Sequence, residues 1–157
     1  MKISTLYLLL LLITAVQACE RKSSVAIHED LVLSISTVCG WCAGGDSLII
    51  KSDETIYKHF ASCDMSKMQT ITNVTDKTVW NRLVSLLDKK KFNAVELNIC
   101  NVCADGCDIR ATVKDKNYNH SISYGSSENA EVLTIRPFLK ELEVLRTQYK
   151  KDQSVSR

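Results

Sequence analysis

Two Cys-x-x-Cys motifs, Cys39-Gly40-Trp41-Cys42 and Cys100-Asn101-Val102-Cys103, carry the residues of this sequence best suited to chemistry. Thiols at this spacing support three different chemistries. They can close disulfides in an oxidising compartment, where free thiols do not persist. Two such pairs on strand-turn-strand knuckles can also supply the four thiolates of a tetrahedral zinc site, here Cys39, Cys42, Cys100 and Cys103. The third chemistry, thiol-disulfide exchange, needs its first cysteine at a helix N-terminus, where the dipole lowers the thiol pKa. Here Cys42 is followed by Ala43-Gly44-Gly45-Asp46 and then by the strand-like Leu48-Ile49-Ile50, so the activating helix is missing. Disulfide bonding is the leading expectation, with no cofactor; zinc is the alternative.

The remaining reactive residues are sparse. Cys63 and Cys107 fall outside the two motifs and read as an additional disulfide pair. His59 and His120 each follow a tyrosine at two positions, Tyr57 and Tyr118, so each pair shares one face of a strand. They form a possible secondary site, either as metal ligands or as a pH-sensitive pair, set against ordinary cross-strand packing. His28 carries no pattern. Neither a Ser/His/Asp order nor a phosphate-cradling glycine loop is present, so no catalytic residue is assigned. Asn73-Val74-Thr75 and Asn119-His120-Ser121 are glycan acceptor sequons, relevant only in a eukaryotic secretory pathway.

Export is written at the N-terminus. Residues 1–18 have Lys2, an apolar run over 6–16 and a small-residue site at Val16-Gln17-Ala18, the layout of a signal peptide. The run is shorter than the roughly 20 residues of a membrane span. Cleavage after Ala18 places Cys19 first, as in the lipobox of bacterial lipoproteins, where that cysteine is acylated. The expected location is the periplasm or cell surface, anchored through Cys19 and a polar tether over 19–29, with plain secretion as the alternative. Of the seven cysteines, six then remain, an even number that suits disulfides.

The composition is that of one small globular domain: 157 residues, 45% hydrophobic, 24% charged, with a net charge of +2. A near-neutral chain offers no electrostatic footprint for nucleic acid and is too apolar for a disordered tail.

The elements that must position the cysteines show an internal match. At a shift of 61 positions Cys39, Cys42, Ala43, Gly45, Tyr57 and His59 fall on Cys100, Cys103, Ala104, Gly106, Tyr118 and His120. Residues 31–38 and 95–99 alternate as half-buried strands before each motif. Hairpins are expected from 47–52 with 55–60 and from 108–114 with 117–124, and an extra strand near 69–74. A helix capped by Thr75 or Asp76 carries Val79, Leu83, Leu86 and Leu87 on one stripe and ends at Lys89-Lys90-Lys91. A second, with Pro137 in its first turn, carries Phe138, Leu142, Leu145 and Tyr149. The expected fold is α+β: a tandem duplication of a β-β-β-α unit, with an antiparallel sheet and two helices packed on one face. One domain spans 30–149, its pseudo-repeats about 30–91 and 92–149, and 150–157 is a frayed tail. Gly45 and Gly106 match in register, which implies a positive φ or a crowded backbone in both turns.

The second motif, Cys100-Asn101-Val102-Cys103-Ala104-Asp105-Gly106, with the strands that follow, resembles the C-x-D-C-A-D-G segment of small bacterial secreted proteins and lipoproteins that have no assigned activity. The likeness covers residues 94–124. Cys107 departs from it, since those proteins usually carry glycine there, which favours Cys107 as an added disulfide partner. The resemblance implies export and transfers no catalytic residue. The functional expectation is a non-enzymatic binding or structural module at the cell envelope, attached to the membrane by its lipid. Its partner would be a protein or a small ligand and not nucleic acid; the alternative is a tetrathiolate zinc or thiol-redox protein.

Overall fold

The computed structural model describes residues 30–62, 64–125 and 130–155. The expected signal (1–18), the tether (19–29) with Cys19 and His28, and Cys63 lie outside the described residues. Six strands form one antiparallel sheet: β1 (Val32–Cys39), β2 (Gly45–Ile50), β3 (Glu54–Phe60), β4 (Gln69–Val74), β5 (Cys107–Asp115) and β6 (Tyr118–Tyr124). The spatial order is β4-β3-β2-β1-β5-β6, so β1 lies inside the sheet between β2 and β5.

Period-2 alternation decides which face each strand buries. Leu33 and Ile35 of β1, Leu48 and Ile50 of β2, Tyr57 of β3, and Ala111 and Val113 of β5 are buried on one side. Ser34, Ser36, Ser47 and Thr112 alternate with them on the other, which carries no helix among the described residues. The turns have local causes. Lys51 N–H donates to the Glu54 carbonyl at 2.8 Å between β2 and β3, and the Asp115 carboxylate accepts from Asn117 N–H at 2.9 Å between β5 and β6.

Helix α1 (Lys77–Leu86) starts where the Asp76 carboxylate accepts from the Thr78 and Val79 amides at 2.7 and 3.1 Å, a cap worth about 1 kcal/mol. Thr75, the other expected cap, is buried and shares a hydrogen bond with Thr55 instead. The lysine run does not close this helix. Asp88 interrupts the chain and caps a second short helix, α2 (Lys89–Ala94), by accepting from Lys91 N–H at 3.0 Å. The three lysines therefore begin a helix that buries Phe92. Helix α3 (Arg136–Val155) follows a 3-10 turn over Ala130–Ile135 and buries Phe138, Leu139, Leu142 and Leu145. It runs on to Val155, so the stretch read as a frayed tail is helical up to that residue. Phe92 and Phe138 meet edge to face at 5.9 Å and join α2 to α3 over the sheet. No helix of the described residues is long and apolar enough to cross a membrane.

The architecture is α+β with the helices on one face, as the patterns imply, but the expected tandem unit is not seen. The strand expected at 95–99 is reduced to a parallel bridge between Asn98 and Ser123 on the outer side of β6. β1 already occupies the inner side of β5, the place such a strand would take. The hairpins differ in register as well. Leu48 faces Tyr57 across β2–β3, so the shift of 61 would set Ile109 opposite Tyr118; instead Ile109 faces Tyr124 and Tyr118 faces Asp115.

Candidate functional site

Both cysteine motifs lie at the same end of the sheet, where β1 finishes and β5 begins. Cys39 and Cys107 are direct antiparallel partners in the β1–β5 ladder, with Cα atoms 4.0 Å apart, and they form a disulfide. Cys100 and Cys103 form a second, and Cys42 is disulfide-bonded as well. The expected Cys63–Cys107 pair is thereby corrected: strand register sets Cys107 opposite Cys39. The four motif sulfurs, Cys39, Cys42, Cys100 and Cys103, are all oxidised rather than gathered as thiolates. Among the described residues no three His, Cys, Asp or Glu side chains group as a metal site would require.

The two motifs differ in build. The second is a self-contained knuckle: a 3-10 turn over Val102–Ala104, Asp105 in the left-handed region (φ 63°), and the Asn101 carbonyl accepting from both the Ala104 and Gly106 amides. A Cβ on Gly106 would come within 2.9 Å of the Asn101 Cβ, so crowding, not a positive φ, requires glycine there. The first motif opens outward, because Cys39 is bonded away to β5. Its 40–44 loop is pinned by Cys39 N–H to the Gly44 carbonyl and Gly40 N–H to the Gly106 carbonyl, at 3.1 and 3.0 Å. Trp41 and Cys42 hold left-handed backbones, φ 51° and 58°, at roughly 1–2 kcal/mol each for L-residues. That conformation turns the Trp41 indole outward, 83% exposed.

Beside the loop is a half-open cavity of about 490 Å³, lined in part by Thr37, Asn101, Gly106, Cys107, Ile109 and Arg146. Arg146 reaches it from α3. Its Nη1 donates to the Asp46 carboxylate at 2.7 Å and to the Thr37 hydroxyl. Asp46 is only 3% exposed and Arg146 16%, so this ion pair is desolvated, with Lys150 a looser third member at 3.7 Å. The Arg146 Nε and, on β3, the His59 Nδ1 are buried with no hydrogen-bond partner among the described residues.

The two histidines do not meet. His59 is on β3 opposite Asp46, whereas His120 is on β6 opposite Val113, and β2, β1 and β5 separate them. His120 Nε2–H donates to the Val95 carbonyl at 2.9 Å, and its ring packs on Phe92 and Tyr118, a structural role.

Burial around the ion pair also raises phenol pKa values. Tyr57, stacked on Tyr149, is pushed up to about 12, by desolvation first and by the Asp46 carboxylate second. Tyr124 is held far above the usual phenol range, by burial and then by the charge of Glu143, to which its hydroxyl donates at 2.8 Å. The folded state keeps protons that the unfolded chain releases near pH 10. Stability is therefore complete below about pH 10 and falls as pH rises towards 12. Urea midpoints measured between pH 8 and 11 should decline above about pH 10, and Tyr57→Phe should make that decline shallower. A midpoint flat through pH 11 in the wild type would contradict the assignment.

Sequence reasoning located the cysteine turns but missed Arg146 and Asp46. The signal was present: Asp46 shares the period-2 face of Leu48 and Ile50, and Arg146 lies one turn after Leu142 beside Leu145. A charge on each of two buried faces implies a partner for both. No family model matches this sequence, and no curated protein matches it.

Proposed function

We propose that the protein is an exported binding module of the cell envelope, anchored through lipid on Cys19 and without catalytic activity, which engages its partner through the cystine-bearing end. The observation that carries this reading is Trp41. A tryptophan left 83% exposed on a loop in left-handed backbone, next to a disulfide across the sheet, is a preformed recognition element. Tryptophan is enriched among the few residues that dominate binding energy, and a rigid loop loses little entropy when it docks. The adjoining cavity has the volume of a small-molecule or side-chain pocket. The motif sulfurs are committed to disulfides, which leaves no thiolate there to act as nucleophile.

Trp41→Ala removes only exposed surface, so the thermal midpoint should stay within about 2 °C of wild type. In a strain deleted for the gene, this variant should fail to restore the wild-type phenotype. A folded Trp41→Ala that complements fully would overturn the reading. Anchoring is tested separately: Cys19→Ala should move the protein from the membrane to the soluble fraction, and unchanged partitioning would refute the lipid.

A further inference from the structure

The fold holds the sulfurs of the two described disulfides together in different ways. Cys39 and Cys107 are the last of eight residue pairs in the β1–β5 ladder, so reduction leaves their thiols facing each other and ready to close again. Cys100 and Cys103 lie outside the sheet on one turn of chain, and both are exposed. An exposed bond that the surrounding strands do not hold shut is the one an attacking thiolate reaches and opens. The same turn supports the Trp41 loop. Asn101 fixes the entry of the turn on β5: its backbone amide donates to the Asp108 carboxylate at 2.6 Å and its Nδ2 to the Cys107 carbonyl at 3.4 Å. The exit, 104–106, carries the Gly106 carbonyl that accepts from Gly40 N–H at 3.0 Å. Contact there is close: a Cβ on Gly40 would come within 3.1 Å of the Asp105 Cα and 3.2 Å of the Val102 carbonyl oxygen, so the loop rests on the backbone of the turn.

We propose that Cys100–Cys103 is a thiol-disulfide exchange site for a dithiol reductant, and that its redox state sets how firmly the Trp41 loop is held. One thiolate of the dithiol attacks the Sγ of Cys100 or Cys103, the bond between the two cysteines breaks, and the displaced sulfur leaves as a thiolate and takes up a proton. The second thiol of the reductant then attacks the mixed disulfide and releases the other cysteine. The protein gains two electrons and two protons, and the dithiol becomes a disulfide. Opening the bond frees the exit of the turn from its anchored entry. The exit is then held by the Ala104 and Gly106 amide bonds to the Asn101 carbonyl, each worth about 1 kcal/mol. Gly106 moves, and the Gly40 contact moves with it. In the oxidised form the loop presents its indole already ordered, whereas in the reduced form docking must order it first. This regulatory consequence rests on the recognition role proposed for Trp41; the exchange itself does not.

The test treats the protein with dithiothreitol, traps free thiols with a maleimide at intervals and maps the labelled cysteines. Cys100 and Cys103 should be labelled together, at least about tenfold faster than Cys39 and Cys107. The variant Cys100→Ser/Cys103→Ser loses a bond that closes a very short loop, so it should stay folded. In it, amide hydrogen exchange at Gly40 should be at least about tenfold faster than in oxidised wild type, with Ser34 and Ser36 of β1 unchanged. Dithiothreitol at a level that opens Cys100–Cys103 alone should produce the same change in wild type and add nothing to the variant. Labelling of Cys39 and Cys107 first, or at the same rate, overturns the exchange site. Equal Gly40 exchange in variant and wild type overturns its hold on the loop. Neither readout involves a partner, so a Trp41→Ala variant that complements fully would end the recognition role and leave both results standing.

Discussion

Replacing Cys39 and Cys107 together by serine is expected to lower the free energy of unfolding by about 4 kcal/mol, whereas the same change at Cys100 and Cys103 should cost about 2 kcal/mol or less. The contrast follows from what each bond encloses. Cys39–Cys107 spans 68 positions of sequence, a stretch that holds β2, β3, β4, α1 and α2. Cys100–Cys103 spans 3. In the chain-entropy account, restriction of the unfolded state grows with the logarithm of the closed loop. For a domain whose whole stability is on the order of 5–15 kcal/mol, the first loss is a large fraction. It should appear as a fall of roughly 10–15 °C in the thermal midpoint of Cys39→Ser/Cys107→Ser. Equal losses from the two double variants would show that loop closure does not govern how much each bond stabilises the fold. The variant also bears on the recognition role proposed for Trp41, because the bond holds the end of β1 from which that loop departs.

The second large effect is expected from Asp46→Ala, at about 3–5 kcal/mol. Asp46 makes the charge-assisted hydrogen bond to Arg146 Nη1 under α3, and among the described residues the arginine already has one buried nitrogen without an acceptor. Truncating the acid leaves a mostly buried guanidinium whose one remaining side-chain acceptor among the described residues is the Thr37 hydroxyl. The cost is chiefly that of the uncompensated charge, not the worth of the pair. A double replacement, Asp46→Leu with Arg146→Leu, should therefore recover most of the loss, because no charge remains to be solvated. Urea unfolding of the two single variants and the double gives the coupling directly. Additive losses would mean that the two groups act independently and that the buried pair contributes little to the fold.

Much of the sheet was legible because its strands alternate so regularly. Leu31, Leu33 and Ile35 announce β1, and the strand expected near 69–74 is β4 itself. What misled was the equation of similar residues with similar surroundings. Cys39 and Cys100 share a motif, yet Cys39 is a strand residue with a partner across the ladder and Cys100 belongs to a knuckle that closes on itself. Local spacing carries no information about which strand lies alongside, and that neighbour decided the bonding. The lysine run shows the same limit from another side. Lys89-Lys90-Lys91 would suit a helix C-terminus, but Asp88 is a better N-cap than helix interior, and the chain breaks and restarts there. Pairing of Asp46 with Arg146 needed the tertiary placement of α3, 100 positions away.

The direction of β1 gives the molecule a head and a foot. The strand enters the sheet at Val32 and leaves it at Cys39, so its eight residues carry the chain roughly 25 Å from one end of the domain to the other. Whatever precedes Asp30 joins at the foot, while Trp41 and the two described disulfides crown the head. A surface coupled through the N-terminal segment therefore holds the indole outward at about the full height of the sheet, whereas coupling through lysines of the helix face would tip the domain onto its side. If the proposed recognition by Trp41 holds, orientation alone should separate a receptive immobilised preparation from an inert one.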